Sequence, residues 1–248
     1  MINIRSSEEI ALLREAGRMV GQAHELAKEL LVPGVRGETV DREVETFIRD
    51  NGGRPAFKGF QGFPSSVCFS LNNEVVHGIP GRKTVQDGDV VSLDIGVEKD
   101  GYYGDSAWSY IVGEDIQDAG LLLTITEESL YKGIARAVAG NRLFDIGHAI
   151  QTWVERRGFS VVREMVGHGI GTRMHEEPQI PNFGPPGKGP LLKAGMVFAI
   201  EPMVNQGSHE ITTLKDGWTA VTKDGSLSAH FEHCVSIHDG EAEILTLP

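Results

Sequence analysis

Four acidic residues occupy places where the surrounding pattern is apolar. Val90-Val91-Ser92-Leu93-Asp94 and Val197-Phe198-Ala199-Ile200-Glu201 each read as an apolar strand ending in one carboxylate. A buried strand keeps such a group only where something positive meets it. Val90 to Val97 and Tyr102 to Val112 read as a hairpin closed at Asp100-Gly101. That register sets Asp94 opposite Ala107 and puts Asp105 on the same face, at most about 7 Å away. Glu232 lies in the alternating stretch Ala229-His230-Phe231-Glu232-His233-Cys234-Val235, and His168 in Gly167-His168-Gly169-Ile170-Gly171. Singly, each has a plainer reading: a turn acid, a strand-end charge, a solvent-facing glutamate, a satisfied core histidine.

Together they make a chemical set. Four carboxylates crowded in a low-dielectric interior repel one another, and some must protonate. Two divalent cations would balance the four negative charges of Asp94, Asp105, Glu201 and Glu232, with His168 as a neutral ligand. An oxygen-rich set with one imidazole suits Mn, Fe or Co and tolerates Zn. Paired cations of that kind polarise carbonyls and activate water for hydrolysis.

The elements that must position these groups are also legible. Ser6 with Glu9 forms a capping box for a helix over residues 6–31, and Pro33-Gly34 stops it. A second helix is expected from Thr39 to Asp50. A shift of 106 residues then superposes Gly34 on Gly140, Arg36 on Arg142, Val40 on Ile146, Val44 on Ile150 and Gly52 on Gly158. A third helix is expected at about 127–138, before the second copy. The strands follow at a shift of 107, with Gly88 on Gly195, Leu93 on Ile200 and Asp94 on Glu201. This is a duplicated unit of helix pair plus strand. Pro185 to Pro190 is a rigid loop between strands, so residues 1–248 read as a single α/β (α+β) domain with pseudo-equivalent halves.

Composition narrows the function classes. With 35 acidic against 23 basic residues the net charge is −12, which argues against nucleic acid as the main ligand. No apolar run approaches the roughly 18 residues of a membrane span, and the N-terminus lacks a signal-peptide pattern. The expectation is a cytoplasmic protein. Its two cysteines, Cys68 and Cys234, read as free buried thiols. His175-Glu176-Glu177 is not the two-histidine helix motif of a zincin. Ser65, Ser66 and Cys68 lack a nucleophile elbow. His24, His148, His209, His230, His233 and His238 read as structural or surface residues.

Gly167-His168-Gly169-Ile170-Gly171, His175-Glu176-Glu177-Pro178, Ile200-Glu201-Pro202-Met203 and Val76-His77-Gly78-Ile79-Pro80 together resemble type I methionine aminopeptidases. So does the eleven-residue spacing of Asp94 and Asp105. The resemblance spans essentially the whole chain. It implies a pita-bread fold, a pseudo-twofold arrangement around a central curved, mainly antiparallel sheet. It also implies two divalent metal ions (Co, Mn, Fe or Zn) held by Asp94, Asp105, His168, Glu201 and Glu232, with Asp105 and Glu232 bridging. Glu201 would double as general base, His175 would bond the scissile amide, and His77 would position the substrate. Phe60, Phe63, Cys68, Met174 and Trp218 would line a pocket for the methionine side chain. Phe60 and Phe63 stand where bacterial relatives often carry tyrosine, and Phe57 where a cysteine is frequent, which implies a drier pocket.

The implied substrate is the N-terminal methionine of nascent polypeptides, followed by a small residue, with transient ribosome association and a monomeric state. One alternative is a relative cutting next to proline, such as aminopeptidase P or proline dipeptidase; those carry an additional N-terminal domain. The other is a non-catalytic pita-bread binding module, which would lack ligands and show a basic face.

Overall fold

In the computed structural model, which describes residues 2–248, the chain begins with helices α1 (Ser7–Leu30) and α2 (Gly37–Asp50). β1 (Arg54–Pro55), a 3-10 turn at Phe60–Gly62, β2 (Val67–Leu71) and β3 (Glu74–Val76) follow. The long hairpin of β4 (Val90–Lys99) and β5 (Tyr102–Ile111) closes the first half. The second half opens with α3 (Gly120–Ile134) and α4 (Leu143–Glu155). Short strands complete it: β6 (Ser160–Val161), β7 (Gly167–Gly169), β8 (Glu176–Ile180), β9 (Val197–Ile200) and β10 (Met203–Asn205). After them come β11 (Ile211–Thr213), β12 (Ala220–Thr222), β13 (Ser228–His230), β14 (His233–Ser236) and β15 (Glu243–Ile244).

The strand pairs are antiparallel and fall into four sheets: β1-β4-β2 with β5 on β4, β13-β10-β6, β11-β12-β3 and β15-β14-β9-β7-β8. Side-chain and backbone hydrogen bonds stitch the sheets of the two halves together. Ser106 Oγ donates to Glu232 O at 2.6 Å, Ser109 Oγ to His230 O at 2.9 Å, and Glu232 N to Ala107 O at 2.8 Å. β5 is thereby fixed against the segment from β13 to β14.

The duplication holds in detail. Gly34 and Gly140, Gly52 and Gly158, and Gly88 and Gly195 all have positive φ, between 78° and 95°. These are turn conformations in which a Cβ would be strained. The residues that start α2 and α4 make matching bridges, Arg36 to Thr84 and Arg142 to Leu191. Each half also has its own apolar core. Val40, Val44 and Ile48 of α2 pack with Leu93, Ile95 and Val97, while Ile146, Ile150 and Val154 of α4 pack with Phe198 and Ile200.

Ser6 caps α1 as the sequence predicts, its Oγ accepting from Glu9 N while Glu9 accepts from Ser6 N. α2 begins two residues before the expected Thr39. The expectation for α3 needs a larger correction: the helix starts at Gly120 and ends at Ile134, not at about 127–138. The carboxylate of Asp115 accepts from the N–H groups of Ala119 and Gly120, nucleating the helix from outside the usual cap position. Leu122 and Ile125 can then join the core.

Candidate metal centre and active-site cavity

β-Strand alternation aims the first pair of acids. Leu93, Ile95 and Val97 turn toward α1 and α2, so Asp94 between them must turn the other way. Asp94 pairs with Ala107 and Gly96 with Asp105, the register expected from the hairpin. The two carboxyl groups are close enough for each to bear on the other's ionisation. Asp94 therefore sits mid-strand, because β4 continues to Lys99, and the strand does not end in a carboxylate there.

The second half delivers its groups at strand ends and in links. Phe198 and Ile200 face α3 and α4, and Glu201 follows the last residue of β9 on the opposite side. Asn182 Nδ2 donates to Glu201 O at 3.0 Å and fixes the backbone there. Glu232 lies in the break between β13 and β14, not within one continuous strand as its alternating context suggested. His168 sits in β7 between two glycines, and a Cβ on Gly167 would overlap Ala199 O. Glycine lets β7 lie flush against β9 and carry the imidazole inward.

These residues converge. His168 Nε2 stands 3.7 Å from Asp105 Oδ2 and 3.6 Å from Glu201 Oε1. His168 Nδ1 lies 2.9 Å from Gly169 O, which sets the ring orientation and leaves Nε2 facing the acids. Asp105 and Glu232 are buried, at 4% and 2% exposure. Burial pushes the carboxyl of Asp94 up to about 7. Burial first and repulsion between neighbouring carboxylates second push Asp105, Glu201 and Glu232 well above the usual range. Burial also lowers His168 to about 3, keeping the imidazole neutral.

Asp94 Oδ1, Asp105 Oδ1 and Glu232 Oε1 are buried with no hydrogen-bond partner. Buried oxygens are rarely left so, and carboxylates of this kind ask for cations. Asp105, His168 and Glu232 offer donor atoms within 4.8 Å of one another, as do Glu201, His230 and Glu232. The sequence pattern marks His230 as structural or surface; the structure buries it and places its ring beside the acid cluster. Its position two residues before Glu232 was a usable signal, since period-2 alternation puts the pair on one face.

A cavity of about 190 Å³ contains all five acid-cluster residues, with His77, His175, Phe57, Phe60, Phe63, Cys68 and Trp218 also on its walls. Met174 stands behind that wall, packed with Phe57, Phe63 and Cys68. Phe63 and Trp218 meet edge to face at 5.2 Å. Cys68 pairs with Asp94 across β2 and β4, so the apolar and acidic ends share one strand pair. Cys68 and Cys234 are free and buried, as expected.

His175 bridges the two ends, its ring 4.3 Å from that of His168 and 5.2 Å from that of Phe60. Next to it, Glu176 is clamped by Arg5, whose Nη2 donates at 2.6 and 2.7 Å to its two oxygens. Asn3 Nδ2 adds a bond of 2.6 Å. The N-terminal segment thus straps the turn that carries His175, a role the sequence did not announce. His77 takes a left-handed φ of 59°, a strained state retained where surrounding structure over-determines it. A wider hollow of about 510 Å³ adjoins at His77, His168, His175 and Glu201.

Comparison with known proteins identifies the family. The model of metallopeptidase family M24 matches residues 11–239. The chain is 53% identical over 246 residues to methionine aminopeptidase 1 of Bacillus subtilis, covering 99% of both proteins. The crystal structure of a methionine aminopeptidase from Thermotoga maritima superposes with a TM-score of 0.98 at 45% identity, covering 100% of both chains. The prolidase of Pyrococcus horikoshii shares the fold alone, with a TM-score of 0.80 at 21% identity and 63% of its chain covered. The pita-bread arrangement implied by the resemblance, and consistent with the duplication, is the fold of these neighbours, and the chain belongs to metallopeptidase family M24.

Proposed function

We propose that this chain is a methionine aminopeptidase, removing the N-terminal methionine of nascent proteins and peptides as one catalytic domain over residues 1–248. The observation that carries this reading is a single small cavity with an acid cluster at one end and an aromatic and sulfur wall at the other. Such a wall suits a polarisable thioether. It supports methionine in place of the proline required by the alternative peptidases. The orphaned carboxylate oxygens weigh against a non-catalytic binding module, which would have no use for them.

In this reading Asp94, Asp105, His168, Glu201 and Glu232 would together hold the divalent cations, the four carboxylates supplying the balancing charge and His168 a neutral nitrogen. When bound, the cations would polarise the scissile carbonyl and lower the pKa of attacking water. Glu201 is the general base, since its carboxylate lies among these groups while its backbone is held by Asn182. His175 donates to the amide being cleaved, and His77 orients the substrate at the mouth where the two hollows join. Phe60, Phe63, Cys68, Met174 and Trp218 hold the methionine side chain. The mixed oxygen and imidazole set accepts Co, Mn, Fe or Zn. A small second residue, a monomeric cytoplasmic enzyme and transient contact with the ribosome belong to the same proposal.

Metal-reconstituted protein is expected to cleave Met-Ala-Ser, to leave Ala-Pro-Ala intact, and to lose activity on chelation. Release of alanine from the proline peptide in preference would move the assignment to the proline-directed relatives. Absence of turnover with every metal offered would favour the binding module.

A further inference from the structure

His230 ends β13 and is 2% exposed. Its backbone N–H bonds Ser109 Oγ at 2.9 Å, so the residue is firmly placed. Yet its Nε2 is buried without a partner. The nearest acceptors are Glu201 Oε2 at 3.8 Å and Glu232 Oε2 at 4.0 Å, both too distant for a hydrogen bond. An orphaned buried ring nitrogen is a cost to stability, and the fold alone does not account for it.

The placement makes sense from the side of Glu201. Its carboxylate has an imidazole at each oxygen: His168 Nε2 at 3.6 Å from Oε1 and His230 Nε2 at 3.8 Å from Oε2. Among the described residues no side chain donates a hydrogen bond to either oxygen. The acid that must both bind a cation and accept a proton would otherwise rotate freely about its last torsion. Four carboxylates already match two divalent cations in charge, so a further neutral group here serves better as a donor than as the seat of another cation.

We propose that His230 is a positioning residue of the metal centre, its Nε2–H facing Glu201 Oε2 from 3.8 Å and so favouring the carboxylate rotation that leaves Oε1 on the side of His168. The inference rests on the metallopeptidase reading and adds a sixth residue to the set.

The test compares His230→Leu and His230→Gln with the parent protein. Leucine keeps the volume and removes the polar ring; glutamine keeps an N–H donor. Loss of a group that orients a metal ligand lowers affinity or activity by roughly 10- to 100-fold. His230→Leu should therefore lower kcat by that order with KM nearly unchanged, and should weaken Mn binding measured by calorimetry. The melting temperature of its metal-free form should not fall. His230→Gln should restore most of both losses.

A leucine variant with parental kcat and parental Mn affinity would overturn the inference. So would a glutamine variant that fails like leucine and binds one fewer equivalent of Mn, because His230 would then be a ligand. Parent protein that binds Mn but cleaves no methionyl peptide counts against the peptidase reading alone, and calorimetry on the variants still decides about His230.

Discussion

The two ends of the cavity are built on opposite terms. At the aromatic end, Phe57, Phe63, Cys68 and Met174 are buried in mutual contact, and every atom placed there favours the folded chain. At the acidic end, Asp105 and Glu232 are equally buried but leave oxygens unpartnered, and each such group works against folding until a cation arrives. One end stabilises and selects; the other stores electrostatic strain that metal binding relieves. Both hang on the same strands, since Cys68 and Asp94 face one another across β2 and β4.

The sharpest way to break this contrast is Asp105→Asn. Activity should fall on the order of 10³-fold, because several kcal/mol of metal-derived stabilisation disappear. The metal-free protein should melt higher than the parent, since a carboxyl whose ionised form burial and its acidic neighbours oppose is gone. Calorimetry in chelator, beside peptide assays with metal, checks both signs; a lower melting temperature would refute the idea of stored strain.

His175→Ala comes next, with kcat reduced on the order of 10²-fold by loss of one donor and metal content retained. His168→Ala should lose metal as well. Elemental analysis finding equal depletion in both would erase the division of roles.

At the aromatic end the effect is smaller and of another kind. Trp218→Ala should raise KM for methionyl peptides roughly tenfold with kcat preserved, as expected for lost uniform burial. A fall in kcat with unchanged KM would place Trp218 in the chemistry instead.

The mildest test uses pH. In metal-free protein the Asp94 carboxyl is raised from 3.8 to about 7, so the folded state holds the extra proton and stability declines as pH rises across that window. His24, stacked on Trp108 at 4.5 Å and bonded to Ser106 O, is lowered by burial from 6.5 to about 3. For this group the unfolded state holds the extra proton, and stability declines as pH falls below 6.5. Each contributes at most about 1.4 kcal/mol per pH unit. Denaturant titrations at several pH values should show the acid-side loss diminished in His24→Gln. An unchanged acid limb would assign it elsewhere.

The parts of this molecule that could be read directly from the chain are those whose geometry is local. Strand periodicity and a two-residue turn put Asp94 opposite Ala107 and Asp105 on the same face, and the hairpin register agrees. The capping box of α1 and the doubled glycines of the two halves are equally short-range facts. The roles of His77, His175 and the pocket residues came through family resemblance, because no spacing rule links side chains brought together from turns so far apart.

Tertiary structure alone decided the rest. The start of α3 depended on a cap from Asp115, the break between β13 and β14 set the direction of Glu232, and the strap from Arg5 to Glu176 spans 171 residues. His230 looked ordinary in sequence and became an unpartnered ring beside Glu201 only once β13 met β10. A sequence determines which groups alternate along a strand; which of them are left facing one another without water is set by how the two halves close, and that is where burial turns common carboxylates and imidazoles into a reactive site.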